Sequence, residues 1–483
     1  MTSSLTHYED LEAENERNGA QKVLENTKES LSPTETNGIL LRLAVYPLRW
    51  VILAMFVLYS TCNAFQWTQL VIITNILEKY YQVSTLAVSW TSIIYMVTYI
   101  PLIFPASWFL QKKGLRWSVI LGSLGTCLGS WIKVFATGRD QFVILFTGHS
   151  IVAISQIFIL GIPAQLAATW FPSNQVSSAC AIGVFGNQLG VALGFVLPVL
   201  LVKNRAAEEE VVLIGGDLFR MFLGVAVVTS VLLAAILLFF KDAPPTPPSR
   251  AQEILWHQRE GVRDGACLQV EQDDYKGSIK RLMTNGNYVL LLITYGLNVG
   301  VFYAISTLLN SVILIHFKGA EEDAGKIGLV IVIFGMMGSM VCGVILDKTH
   351  AYKTTTLLVY LFSCLGMVAY TFTFRFGHIE IVYITASLLG FFMTGYLPLG
   401  FEFAAEITFP ESEGTSSGLL NASAQVFGII CTLSAERFLE ITGKEDRIAN
   451  GLLAGVLLVG TGLTALIKPD YRRQKASQAE HKI

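Results

Sequence analysis

An all-α integral membrane protein, with twelve transmembrane helices in two six-helix bundles, is the fold this sequence predicts. Three features point to it. Of 483 residues 53% are hydrophobic and only 14% are charged, against nearer a quarter charged in a soluble domain. Apolar runs of about 20 residues, long enough to cross a bilayer as a helix, recur along the chain. The later runs also repeat motifs of the earlier ones.

Residues 1–45 are polar and acidic and lack the apolar core of a signal peptide, so they are expected to be a cytosolic tail, with the first membrane helix as the targeting signal. Spans are expected at 47–77, 86–110, 116–136, 142–168, 177–203 and 217–240, forming a first bundle over 46–240. A second set at 287–316, 325–346, 353–375, 381–406, 414–436 and 448–468 forms a second bundle over 287–468. Between them, 241–286 opens with the proline-rich Ala243–Pro248, which favours extended backbone and suits a cytosolic linker. Within it Glu253–Arg263 reads either as a short interfacial helix or as solvated chain, and 469–483 as a cytosolic tail. Basic residues gather in Gln111–Arg116, Asp347–Lys353 and the tail (Lys468, Arg472, Arg473, Lys475). The opposite loops carry Glu208, Glu209 and Glu210, then Glu321, Glu322 and Asp323, so both termini are expected in the cytosol.

A net charge of −2 without a basic patch argues against a nucleic-acid partner. Cys62, Cys127, Cys180, Cys267, Cys342, Cys364 and Cys431 show no metal-ligand spacing and, all but Cys267, read as small buried hydrophobes. No cofactor or metal is expected. No nucleophile and base fall at one depth, so an enzyme is not expected either.

The repeat is direct. Trp170–Gly190 lies over Thr408–Gly428 with a constant shift of 238, which carries Phe171 to Phe409, Pro172 to Pro410, Ser178 to Ser416, Asn187 to Gln425 and Gly190 to Gly428. Asn63 and Trp67 of the first span are matched in the seventh by Asn298 and Tyr303. The loops after the second and eighth spans, around Arg116 and around Asp347 and Lys348, both turn from apolar to basic; they resemble the G-x-x-x-D-R-x-G-R-R loop of major facilitator transporters, which implies a conformational role, with Gly343, Asp347 and Lys348 fitting in the second copy and Gln111 standing where the acid should be in the first. Parallel six-plus-six repeats place a transport site near the bilayer midplane, between the halves.

Polar groups at that depth need partners or a purpose. The candidates are Asn63, Gln66 and Trp67 in the first span, Gln156 in the fourth, Asn187 and Gln188 in the fifth, Tyr303 in the seventh, and Asn421 and Gln425 in the eleventh. Charged residues are nearly absent from span centres: Lys133, Asp217, Glu402, Glu406 and Glu436 are expected near helix ends. An anion site or proton relay would need buried charge. Aromatics and amides alone suit a quaternary ammonium, held by ring faces with about 2 kcal/mol or more when desolvated. Trp67 and Tyr303 would close on it from two sides. An indole in a membrane helix is also produced by packing or an interfacial belt, and a lone amide by helix-to-helix contact.

Leu58–Trp67 (LYSTCNAFQW), Tyr95–Trp108, Ser155–Phe171, Ala179–Gly190, Gly300–Asn310 and Phe409–Gly428 resemble the feline leukaemia virus subgroup C receptor-related family, within the major facilitator superfamily. The likeness runs from about Tyr46 to Lys468. It implies a facilitative carrier of choline and ethanolamine, with haem as the family's other described substrate; with no charged relay in the spans, uniport is expected, in the plasma membrane and by a monomer. It also implies that Trp67 and Tyr303 face the cation, that Gln156 and Gln425 contact substrate, and that Tyr95 and Met96 line the pocket. Only His149 of the seven histidines lies well within a span, above the expected site, which favours choline over haem, whose iron takes an axial ligand such as His. A receptor that no longer transports is the rival from another class.

Overall fold

The computed structural model describes residues 45–172, 175–205, 210–248, 275–409, 411, 413–443, 445–472 and 474–475. The N-terminal segment before residue 45, Glu208, Glu209, Glu253–Arg263, Cys267, Arg473 and the last eight residues lie outside them. Every regular element among the described residues is helical.

The first span, Leu48–Tyr81, is a helix over Leu48–Thr68 that passes through a short 3-10 turn, Val71–Ile73, into Thr74–Tyr81. One helical stretch, Thr85–Val134, holds both the second and third spans and breaks at Gly114, where φ is +86°. That backbone region is open to glycine and strained for other residues. The chain reverses there. The third span runs beside the first in the same direction, Asn63 meeting Thr126 and Gln66 meeting Ser130. The fourth span is interrupted: Phe142–Ser155, Ile157–Leu160 and Ile162–Trp170. Val176–Leu201 and Val211–Phe239 complete the first bundle.

A helix over Tyr275–Thr284 precedes the second bundle and docks on Glu411 through Ser278 and Arg281. The hydrogen bond from Arg281 holds the Glu411 carboxyl below its ordinary range, with Ser278 adding to it. The six spans that follow are Gly286–His316, Glu321–Thr349, Tyr352–Thr373, Ile379–Thr408, Glu413–Ile441 and Asp446–Leu466.

Among the described residues, eleven helices are long and apolar enough to cross a membrane. The twelfth crossing is the second half of Thr85–Val134. Gly122, Gly125, Gly129 and Lys133 make it more polar, and Gly129 packs directly on the Gly148 carbonyl of the fourth span. Side chains such as Val143, Leu238, Ile384 and Leu458 point outward and exposed, as a lipid-facing surface requires.

Two expectations change. The sixth span begins at Val211, so Asp217 lies within it, buried and paired with Arg205 and Arg220. The eleventh continues five residues past Glu436 to Ile441, and Glu436 is buried there.

The first and last described residues share one face, where Tyr46 bonds Thr246 and the Tyr471 hydroxyl accepts from the Lys353 amide. The second span packs on the eleventh and the fifth on the eighth, so repeat-related helices form the seam between bundles. Polar contacts across that seam gather on the face opposite Tyr46 and Tyr471. Glu321 accepts from Asn75 (3.0 Å) and Asn204 (2.6 Å), Lys203 pairs with Glu322 (2.9 Å), and Asn310 donates to the Ile72 carbonyl (2.7 Å). One step deeper, the Ser92 and Thr307 hydroxyls meet at 2.8 Å. That face is closed.

Gly114 gives a first test. An alanine there would keep the strained φ and set its Cβ 2.5 Å from the Asp242 carboxylate. Gly114→Ala is expected to cost about 1–3 kcal/mol, read as a lower melting temperature of the detergent-purified protein. An unchanged melting temperature contradicts this account of the reversal.

Candidate functional site

A cavity of about 60 Å³ lies between the bundles, beneath the closed face. Its walls include Trp67 from the first span, Tyr95 and Met96 from the second, Gln156 from the fourth and Asn187 and Gln188 from the fifth. The second bundle supplies Tyr303 from the seventh span and Gln425 from the eleventh, with Phe302, Val299 and Leu397 as apolar surface. No charged side chain lines it.

Trp67 and Tyr303, at matched places in the repeat, meet edge to face with centroids 5.3 Å apart and planes at 77°. They touch each other, so a cation in this state rests against their remaining faces, not between them. The Trp67 indole donates to Ser92 Oγ at 2.9 Å, and Ser92 in turn meets Thr307, which donates to the Tyr303 carbonyl at 2.8 Å. A chain of hydroxyls thus ties the indole of one bundle to the helix that carries the phenol of the other. Gln425 Nε2 reaches the Tyr303 hydroxyl at 3.4 Å, a long hydrogen bond.

Gln156 stands where the fourth span breaks, with Phe158 (φ −82°, ψ +15°) just after it. An interrupted helix at membrane depth frees backbone polar groups, which is tolerated where a cavity is lined. The Tyr95 hydroxyl, Asn187 Nδ2 and Gln188 Oε1 have no hydrogen-bond partner in the protein. The wall therefore offers unused polar atoms beside aromatic surface, a combination suited to a small ligand with an onium end and a hydroxyl end.

Eight of the eleven sequence candidates share this cavity. Asn63, Gln66 and Asn421 do not line it. Asn63 donates to Thr126 (3.0 Å) and to the Val152 carbonyl (3.1 Å), while Gln66 accepts from Ser130 and Lys133. These two amides hold the first bundle together. Asn421 is half-buried on the eleventh span. In the loops, the Arg116 amide bonds Asp242 and its guanidinium the Leu237 carbonyl, tying the third span to the sixth. Lys348 is exposed at a helix end, and the Asp347 side chain lies outside the described residues.

Lys133 in the last turn of the third span, His149 within the fourth and Glu436 in the eleventh are all buried. Lys133, 1% exposed, bonds Gln66 and lies over the Phe222 ring at 5.7 Å. His149 packs behind Tyr95 with ring centroids 5.3 Å apart, outside the cavity lining.

Two bundles related by a direct repeat, closed around an uncharged cavity at the seam, define a membrane solute transporter. The Major Facilitator Superfamily model matches residues 51–478. The choline/ethanolamine transporter flvcr2a of Danio rerio is 50% identical over 434 residues, covering 90% of this chain and 89% of that protein. The choline/ethanolamine transporter FLVCR2 of Homo sapiens is 48% identical over 430 residues, 89% of this chain and 79% of that protein. A bacterial homologue of the human lysosomal transporter Spinster has the same fold, with a TM-score of 0.68 at 14% identity over 89% of this chain and 99% of that one. The chain belongs to the feline leukaemia virus subgroup C receptor-related (FLVCR) family of the major facilitator superfamily.

Proposed function

We propose that this chain is a facilitative carrier of choline and ethanolamine that works by alternating access. The observation that carries this reading is the uncharged cavity walled by Trp67 and Tyr303, one ring from each bundle. The names of the relatives, choline/ethanolamine transporters, point the same way. Ring faces attract a trimethylammonium without needing a hydrogen bond. Gln156 and Gln425 would take the hydroxyl, and the amide oxygens nearby would accept from the primary ammonium of ethanolamine.

The cavity is well under the roughly 150 Å³ of a site that holds benzene, so substrate must spread its walls. Parting the edge-to-face rings is one way, and it couples occupancy to the Ser92–Thr307 contact and to the seam above. The closed face is then the extracellular one, with both termini cytosolic, the plasma membrane as the site of action and a monomer as the working unit. No gradient-coupling group lines the cavity, which fits uniport; an inside-negative potential draws a cation inward by about 2.3 kcal/mol per 100 mV. A porphyrin fits poorly: Tyr95 and Tyr303 could ligate its iron, but no basic side chain lines the cavity for the propionates and the space is already small for choline.

Proteoliposomes test the substrate and the driving force together. Labelled choline should accumulate under an inside-negative potential with no sodium or proton gradient, and unlabelled ethanolamine should compete. Dependence on either ion gradient would overturn uniport, and haem loading with a Soret shift but no choline flux would overturn the substrate.

Ser92 is a positioning residue for the indole. Ser92→Ala leaves the buried Trp67 N–H without an acceptor, at about 1 kcal/mol or more. The half-saturating choline concentration is expected to rise about fivefold, with Ser92→Thr restoring it. Equal values for the alanine and threonine variants would contradict the role.

A further inference from the structure

We propose that Glu436 is an outer cation station, which takes the ammonium on its way between the closed face and the aromatic pair. The inference rests on the carrier reading above and extends the path beyond the cavity.

Glu436 is 7% exposed, on the eleventh span where it packs against the second span of the other bundle. No hydrogen bond of ordinary geometry reaches either carboxylate oxygen or the Thr432 hydroxyl one turn before it, and the Ser89 hydroxyl is the one protein donor close enough to act on the carboxyl. Ser89 faces it from the second span, itself buried, and Glu78 and Glu440 are the charged groups that act on it. All of that charge is negative. Arg437, next in the chain, is turned to Glu440, and Lys133 is held by Gln66 inside the first bundle.

Its depth follows from the packing. The seventh and eleventh spans run in parallel, Gly300 against Phe427 and Gly428, and then Ala304, Ile305 and Leu308 beside Ala435 and Leu439. Glu436 therefore stands near the level of Thr307, whose hydroxyl meets Ser92, while Ser89 lies one turn further outward. The carboxylate sits just outside the Trp67–Tyr303 pair, on the seam that must part for substrate to pass.

A carboxylate so placed is held ionised only with a compensating positive charge. The described residues bring none to it, and the proposed ligand is itself a cation. A quaternary ammonium would be attracted by charge alone, a primary ammonium also by hydrogen bonds to the free oxygens. Entry from the closed face would meet Glu436 first and the rings second; entry from the opposite face would reach the cavity without it.

Concentration series of labelled choline uptake in cells expressing the full chain test this, with surface labelling to normalise expression. Glu436→Gln is expected to raise the half-saturating outside concentration about tenfold, while Glu436→Asp stays within about threefold of the parent. Half-saturation for efflux from preloaded cells should change little. Glu436→Ala supplies the neutral comparison should the glutamine variant not reach the surface. A neutral variant matching the parent, or an aspartate variant as impaired as the neutral one, overturns the station and leaves a protonated or packing carboxyl. Trp67→Ala measured alongside separates the two proposals: normal transport by that variant removes the aromatic site whatever Glu436 does.

Discussion

Choline uptake at sub-saturating concentration should fall about thirtyfold or more in Trp67→Ala, and comparably in Tyr303→Ala. The magnitude comes from the desolvated cation–π term, about 2 kcal/mol or more, at 1.4 kcal/mol per tenfold. Trp67 is 6% exposed and in ring contact with Tyr303, so losing either ring removes both a cation face and the partner that orients the other. Conservative changes divide the contributions. Trp67→Phe keeps a ring face but gives up the bond to Ser92, so partial activity is expected. Tyr303→Phe loses only a 3.4 Å contact with Gln425 and should transport nearly as well as the parent. Undiminished uptake in both alanine variants, at matched surface expression, would remove the aromatic site from the path.

That pair is legible in the sequence because two independent regularities meet on it: apolar runs fix depth, and the repeat register places Trp67 opposite Tyr303. Depth and register do not fix rotation. Asn63 and Gln66 lie within one turn of Trp67, yet about 40° and 100° around the helix from it at 100° per residue. That offset takes them off the cavity and into the first bundle, onto Thr126, Val152 and Lys133. Ser92 and Thr307 gave no signal, since a hydroxyl in a membrane helix usually bonds a carbonyl one turn back, as Thr98 does with Ile94. Only the seam brings those two together. The burial of Glu436 was hidden for a related reason: a charge closes an apolar run in sequence, but here the helix goes on to Ile441 and the neighbouring bundle packs over that stretch.

Gly190 and Gly428 are equivalent in the repeat, yet the same substitution should damage the protein in two different ways. A methyl on Gly190 would overlap the Thr61 carbonyl oxygen and stand 2.9 Å from Thr61 Cα and 2.8 Å from Ala64 Cβ. These are backbone and stub atoms that cannot turn aside, so the first and fifth spans must separate. Overpacking of this kind costs about 1–3 kcal/mol, occasionally more, and Gly190→Ala is expected to lower the melting temperature and the yield of folded protein. On Gly428 the methyl would stand 2.8 Å from Tyr303 Cδ2 and 2.9 Å from Met96 Sδ. Both side chains can move, and the space open to them is the cavity of about 60 Å³ that substrate needs. Gly428→Ala should therefore melt close to the parent while losing choline uptake about tenfold or more, at roughly 1.4 kcal/mol of displaced binding. Shortening Met96 to alanine in the same chain should recover part of it, because the phenol regains room. A melting temperature lowered equally by both glycine substitutions, or full uptake by Gly428→Ala, would show that Tyr303 and Met96 do not bound the substrate's space.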